Sequence, residues 1–199
     1  MKKDKIKIIL KTKRLLLRIP EIKDAKYYPE IYNDKEASAF THVPYPYTLK
    51  DAKDFIKKIR KIFGKQAYDF VIVVKETRKV IGAISIVKIN KRDNRAELAY
   101  YIAKQHRNKG YITEAGKEII KFAFEKLKFN RLNINHVKGN KQSEKVILKL
   151  GAKYEGIEKK AVLTGDKKYK DHLLYGLLAD EWKKSRIKIK NSKVNYAKK

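Results

Sequence analysis

Gln105 to Gly116 reads QHRNKGYITEAG, with Arg107, Lys109 and Gly110 set between a strand-like run, AELAYYIA, and a helix-like run, ITEAGKEIIKFAFEKL. If the strand ends near Ala103 and the helix begins near Thr113, the backbone N–H groups of about residues 107–112 converge at a helix N-terminus. Unpaired donors and the helix dipole favour an anion at such a place. Gly110 lets the backbone approach closely and take φ > 0. Arg107 and Lys109 add charge that suits a diphosphate. A basic turn that merely needed a glycine would read the same way, so the loop by itself leaves both readings open.

The elements that must position this loop follow from period and punctuation. RLLLRI (14–19) alternates as a strand, and Pro20 opens a helical stretch that Pro29 breaks or kinks. THVPYPYT (41–48) is a loop, because two prolines within eight residues exclude regular structure. Thr48 with Asp51 is a capping signal for LKDAKDFIKKIRKIF, whose apolar face is Phe55, Ile56, Ile59 and Phe63. YDFVIVVK (68–75), KVIGAISIVKIN (79–90) and RAELAYYIA (95–103) are β-branched and aromatic with short polar turns, which predicts an antiparallel meander. A helix follows near 113–127, then RLNINHVK (131–138) as a strand, and a short amphipathic helix (140–151) ending on Gly151. Two closing strands and a last helical turn at ADEWKKSRI complete an α+β pattern, a mostly antiparallel sheet with helices inserted.

The composition narrows the chemistry. At 199 residues, 43% hydrophobic, the chain has the length for one domain with a proper core. With no cysteine, disulfides, thiolate catalysis and Cys-ligated zinc are excluded, and four scattered histidines give a metal site little support. No apolar run approaches the roughly 20 residues of a membrane span, and a cytoplasmic protein is expected. The formal charge is +29, with net +6 in residues 1–14 and +8 in residues 183–199. Such basic ends suit RNA, ribosomes or an anionic surface, and equally suit a lysine-rich chain with solvated ends.

Arg107-Asn108-Lys109-Gly110-Tyr111-Ile112 resembles the coenzyme-A diphosphate loop of the GNAT acyltransferase superfamily, Q/R-x-x-G-x-G/A. The longer RNKGYITEA is similar to the branch of ribosomal-protein alanine or serine N-terminal acetyltransferases. The opening strand with Asp24-Ala25, the strand AELAYYI, NKQSEKVILKLGAKYEG, Tyr169-x-Asp171 and Glu181-Trp182 fall in that branch's order, covering about residues 12–183. The sixth loop position departs, being Ile112 where the family has Gly or Ala; its Cβ must point away from the diphosphate.

The resemblance implies a GNAT-like acyltransferase fold, its central sheet splayed mid-sheet and covered by helices on both faces. It implies a single domain at 14–183, a basic extension at 1–13 and a basic tail at 184–199. Acetyl-CoA is the implied donor and no metal is implied. Its diphosphate would lie on Arg107, Asn108, Lys109, Gly110, Tyr111, Ile112 and Thr113, and its pantetheine arm between RAELAYYIA and RLNINHVK, beside Tyr101 and Ile102. A primary amine would attack the thioester directly, which requires a neutral amine, a stabilised oxyanion and a proton for the thiolate. A backbone N–H on strand 98–102 is the implied oxyanion donor. Glu97 is the candidate base, or else a cross-strand partner of Arg95 or Lys88. Asn140 and Ser143 carry the N-x-x-S pattern as pantetheine contact and proton donor, or else serve as helix cap and first-turn residue. Tyr175 is an alternative donor. The acceptor would be a protein N-terminus of the ribosomal type; rivals are a small amine such as a polyamine or aminoglycoside, and a non-catalytic RNA- or ribosome-binding protein. Tyr45 and Tyr47 either clamp a peptide end or pack on the core. Monomer and homodimer are both compatible with the sequence.

Overall fold

The structure, a computed structural model, describes residues 8–196, with side chains as far as Ile187 at the carboxyl end. The basic residues 1–7, and the side chains of the basic run beyond Ile187, therefore lie outside the described residues. Among the described residues nine strands form one sheet: β1 (Ile9–Lys11), β2 (Leu15–Arg18), β3 (Tyr68–Val74), β4 (Val80–Asn90), β5 (Arg95–Ile102), β6 (Arg131–Asn133), β7 (His136–Val137), β8 (Lys153–Leu163) and β9 (Tyr169–Leu178). The spatial order is β1-β2-β3-β4-β5-β6-β9, with β7 continuing the β6 side of β9 and β8 on its other edge. Every pairing is antiparallel except β5 with β6. The expected meander is β3-β4-β5.

Helices cover both faces. Ile22–Tyr27 is a 3-10 turn that leads into α1 (Tyr28–Tyr32), with Pro29 in the first turn of α1, where its missing N–H costs nothing. A short α2 (Lys35–Ser38) follows, then α3 (Leu49–Ile62), which starts in the expected capping box of Thr48 and Asp51. Ala25, Tyr28, Ile31, Ala52 and Ile56 pack with Val71 and Val73 on one face. On the other, α4 (Tyr111–Lys121) and α5 (Lys141–Lys149) pack over Phe70, Ile72, Ile84, Ile86, Ala96 and Leu98. An α6 runs over Ala179–Tyr196.

Four expectations change. Phe55 is 37% exposed rather than core, its ring centroid 6.2 Å from that of Tyr28, because α3 turns Ala52, Ile56 and Ile59 inward. The helix expected near 113–127 starts at Tyr111 and ends at Lys121, followed by a π turn over Phe122–Lys126. RLNINHVK is two short strands: the Asn135 side chain accepts the Tyr175 N–H at 3.0 Å, a bond that a continuous ladder would give to a main-chain carbonyl. The last helical turn at ADEWKKSRI is a full helix. Residues 9–11, in the segment set apart by its charge, form the edge strand of the sheet.

Candidate active site

The sheet opens between β5 and β6. Arg95, Ala96 and Glu97 pair with Arg131, Leu132 and Asn133, and there β6 ends. β5 runs on against β4 as far as Ile102, paired with Gly82. Ala103 donates its N–H to Ile81 on β4 at 3.0 Å. Backbone groups of alternate residues share a side in an antiparallel ladder, so Leu98, Tyr100 and Ile102 aim theirs into the gap. An extended, amide-bearing molecule can add there as a strand.

Beyond β5, a 3-10 turn (Lys104–His106) carries the chain to the helix start. Asn108 has φ 60° and Gly110, the N-cap of α4, φ 75°. Asparagine tolerates that left-handed region, and glycine enters it without cost. Among the described residues no side chain caps α4, so its first-turn N–H groups, on Tyr111, Ile112 and Thr113, are left unpaired. Gly110, Thr113, Glu114, Lys117 and Lys149 line a shallow depression at this end. Ile112 is buried in the core beneath α4, which turns its Cβ away from the helix mouth and leaves only its backbone on the loop.

The β1–β2 turn braces this helix. Glu114 accepts from Thr12 Oγ1 at 2.6 Å, the Arg14 N–H at 2.8 Å and Arg14 Nε at 2.7 Å, while the Arg14 guanidinium lies over the Tyr111 ring at 4.5 Å. Burial alone would raise the Glu114 pKa, but these donors outweigh it and hold it below the usual range. A carboxyl depressed by folding stabilises the fold above its unfolded pKa of about 4.3, and that contribution fades as the pH falls through the folded value. Glu114→Gln should therefore lower the thermal midpoint at pH 7, with the gap to wild type closing on acidification; a gap independent of pH would refute this.

The two cations expected on the loop part company. Lys109 is exposed. Arg107 turns instead toward α2, its guanidinium 2.7 Å from Asp34 Oδ2 and off the hydrogen-bond line, so the attraction is chiefly coulombic. Burial would raise the Asp34 pKa, but the N–H of Ala37, the charge of Arg107 and the N–H of Glu36 hold it below the usual range. Tyr101 stands beside this pair, and burial followed by the field of Asp34 pushes its phenol up to about 12. Ile102, half-buried, packs on the α4 side.

On that same side, Asn140 caps α5, its side-chain oxygen accepting the Ser143 N–H at 3.1 Å. Ser143 Oγ lies 2.8 Å from the Tyr100 hydroxyl, a link the sequence gives no sign of, since the two are 43 residues apart. Burial drives the Tyr100 phenol up to about 12, against the effect of Ser143. Tyr175 is core, 3% exposed, and its hydroxyl donates to Glu144 at 3.2 Å. Burial, then Glu144, raises its pKa. Ser143 and Tyr175 thus flank the first turn of α5, and Tyr100 joins them across the opening.

Glu97 faces the other way. It alternates with buried Ala96 and Leu98, so it projects to the α1–α3 face, where Lys88 Nζ holds it at 2.9 Å. Its side chain is 18% exposed. Of the two partners expected for it, Lys88 on β4 is the one engaged; Arg95 stands on β5 itself and pairs with Asp93. Tyr47 is buried against Tyr32 (ring centroids 5.0 Å apart), and Tyr45 is exposed. Among the described residues no three His, Cys, Asp or Glu side chains gather as metal ligands, and no helix is long and apolar enough to cross a membrane.

Comparison with known proteins points the same way as the geometry. Residues 14–153 match the acetyltransferase (GNAT) domain family. An uncharacterised N-acetyltransferase, p20, from Bacillus licheniformis is 33% identical over 150 residues, covering 74% of this chain and 84% of p20. The [ribosomal protein uS5]-alanine N-acetyltransferase of Escherichia coli is 24% identical over 184 residues, covering 88% and 93%. The crystal structure of the microcin C7 self-immunity acetyltransferase MccE, in complex with acetyl-CoA and AMP, superposes with a TM-score of 0.75 over 83% of this chain and 93% of that one, at 22% identity. A sheet that opens beside an uncapped helix start, on a chain matched over residues 14–153, makes this protein an enzyme of the GNAT acetyltransferase family.

Proposed function

We propose that this protein transfers an acetyl group from acetyl-CoA to a protein N-terminal amine of the ribosomal-protein kind. The observation that carries the donor half is the free edge of β5 beyond Glu97, which leads directly to the uncapped start of α4. The amides of residues 108–113 take the diphosphate, with Lys109 adding charge from outside and Arg107 acting through its pair with Asp34 to hold the loop. The pantetheine amides pair with the open backbone groups of Leu98, Tyr100 and Ile102, with Tyr101 on the opposite face and Asn140 at the far wall.

The amine nitrogen forms a bond to the thioester carbonyl carbon and the C–S bond breaks. One proton leaves the incoming ammonium for a carboxylate, with Glu97 in that role through water. A second leaves the nitrogen after attack and ends on the thiolate sulfur, delivered by Ser143 with Tyr100 behind it; Tyr175 is the second candidate donor. One of the three N–H groups in the gap receives the oxyanion. The acceptor half rests on the similarity to the uS5-alanine enzyme and on RNKGYITEA. Basic ends on a chain of +29 would bring the enzyme to ribosomal RNA from the cytoplasm, as monomer or homodimer.

Calorimetric titration with acetyl-CoA, beside 3′,5′-ADP and a short RNA at two salt concentrations, tests the donor. One-to-one acetyl-CoA binding that survives high salt is expected. Salt-sensitive RNA binding without acetyl-CoA binding would overturn the reading. Mass spectrometry of peptides with ribosomal-protein N-termini, against polyamines and aminoglycosides, tests the acceptor, with transfer to the peptide α-amine expected.

A further inference from the structure

Asp69 lies in an otherwise apolar strand, YDFVIVV, and is 7% exposed. It shares a face with Val71 and Val73, the face that α1 and α3 cover. Register places Asp69 opposite Ser85 on β4, and Ser85 opposite Ala99 on β5, in one row across three strands. Along that row Ala99 is exposed, Ser85 half-buried and Asp69 buried. Exposure thus falls along the row from the strand bordering the opening towards the carboxylate. Tyr101 heads the neighbouring row, with the Tyr32 ring tilted against it, centroids 4.7 Å apart, and Tyr28 and Tyr47 packed on Tyr32.

Three other acids on this face have their own cations: Asp24 has Arg18, Asp34 has Arg107 and Glu97 has Lys88. Among the described residues Asp69 has none. The Ser85 hydroxyl steadies its ionised form, yet burial prevails and its pKa is raised, which is what a carboxylate short of a counter-charge shows. The row thus ends at an acid that keeps 7% of its surface exposed, with tyrosine rings, whose faces attract cations, packed beside it.

We infer that this row forms a recess that takes a second cationic group of the acceptor, one carried beside the amine that is acetylated. The inference rests on the donor placement proposed above. Two strand spacings separate Asp69 from β5, roughly 10 Å, too far for Asp69 to touch the reacting nitrogen itself. A lysine or arginine side chain one or two residues from a peptide's N-terminus spans that distance, and so does an elongated diamine.

The test measures kcat/KM for the peptide pair Ala-Lys-Ala-Ala and Ala-Gln-Ala-Ala, and for a diamine against its monoamine, in wild type, Asp69→Asn and Ala99→Leu. Wild type should favour the cationic member roughly ten- to a hundredfold, the worth of one charge-assisted hydrogen bond. Asp69→Asn should erase that preference and leave turnover of the neutral member within about twofold. Ala99→Leu, an exposed site that narrows the mouth, should erase it too. The peptide arm and the diamine arm tell which source supplies the cation. A wild type without preference, a preference that survives Asp69→Asn, or an equal loss on both members would overturn the inference. If acetyl-CoA itself does not bind, the donor reading fails separately, and equilibrium binding of the same peptides to wild type and Asp69→Asn decides this one.

Discussion

Replacing Thr113 by aspartate is expected to weaken acetyl-CoA binding about 100-fold while leaving the protein as stable as before or slightly more so. Thr113 is the third residue of α4, half-exposed at the mouth where Tyr111, Ile112 and Thr113 present unpaired N–H groups. A carboxylate there interacts favourably with the helix dipole, by about 0.3–1 kcal/mol. It also occupies the donors that a diphosphate would use and repels it. Two unit charges about 5 Å apart at an effective dielectric near 20 interact by about 3 kcal/mol, which is roughly 100-fold in affinity. Opposite movement of stability and binding is the discriminating feature. A general disturbance of the loop would lower both. Calorimetry with acetyl-CoA and a thermal melt, run on wild type, Thr113→Asp and Thr113→Asn, separate the two. Unchanged affinity in Thr113→Asp would remove the diphosphate from this helix end.

The second large effect is on stability. Asp24, 2% exposed, accepts Arg18 Nη1 at 2.6 Å, Arg18 Nη2 at 2.8 Å and the Glu21 N–H at 2.7 Å. Arg18→Met strips a buried carboxylate of its cation and leaves one backbone donor. Breaking a buried pair from one side costs about 3–5 kcal/mol. That is a large share of the 5–15 kcal/mol typical of a domain. The damage would concentrate where the 3-10 turn and α1 meet β2, and so at the tyrosine wall of the Asp69 recess. The double variant Arg18→Met/Asp24→Asn should recover most of the loss, because no buried charge is left behind. Denaturant unfolding of the four proteins in the cycle measures this; a double variant as unstable as the single one would show that Arg18 acts through packing and not through charge.

Where folding is local, the residues announce it. The capping box of Thr48 and Asp51, the turn signals of the meander and Gly151 at the end of α5 depend on neighbours a few positions away, and they stand where period and punctuation put them. Gly110 too is legible, since a positive φ before a helix calls for glycine. Asp69 left a sign as well, a lone acid among inward-facing positions of a strand, although only the register shows what it faces.

The remainder was decided by contacts between distant parts of the chain. The sheet opens after Glu97 because β6 ends at Asn133, and an asparagine side chain then replaces the ladder with β9. Arg107, whose place in the loop suggested a phosphate ligand, pairs with a buried carboxylate 73 positions away. Tyr100 meets Ser143 only because α5 packs across the opening. Helix period, caps and turns act over a few residues and are written in residue type. The direction of a charged side chain and the point where two strands part depend on which distant group folding brings near, and only the packed molecule determines that.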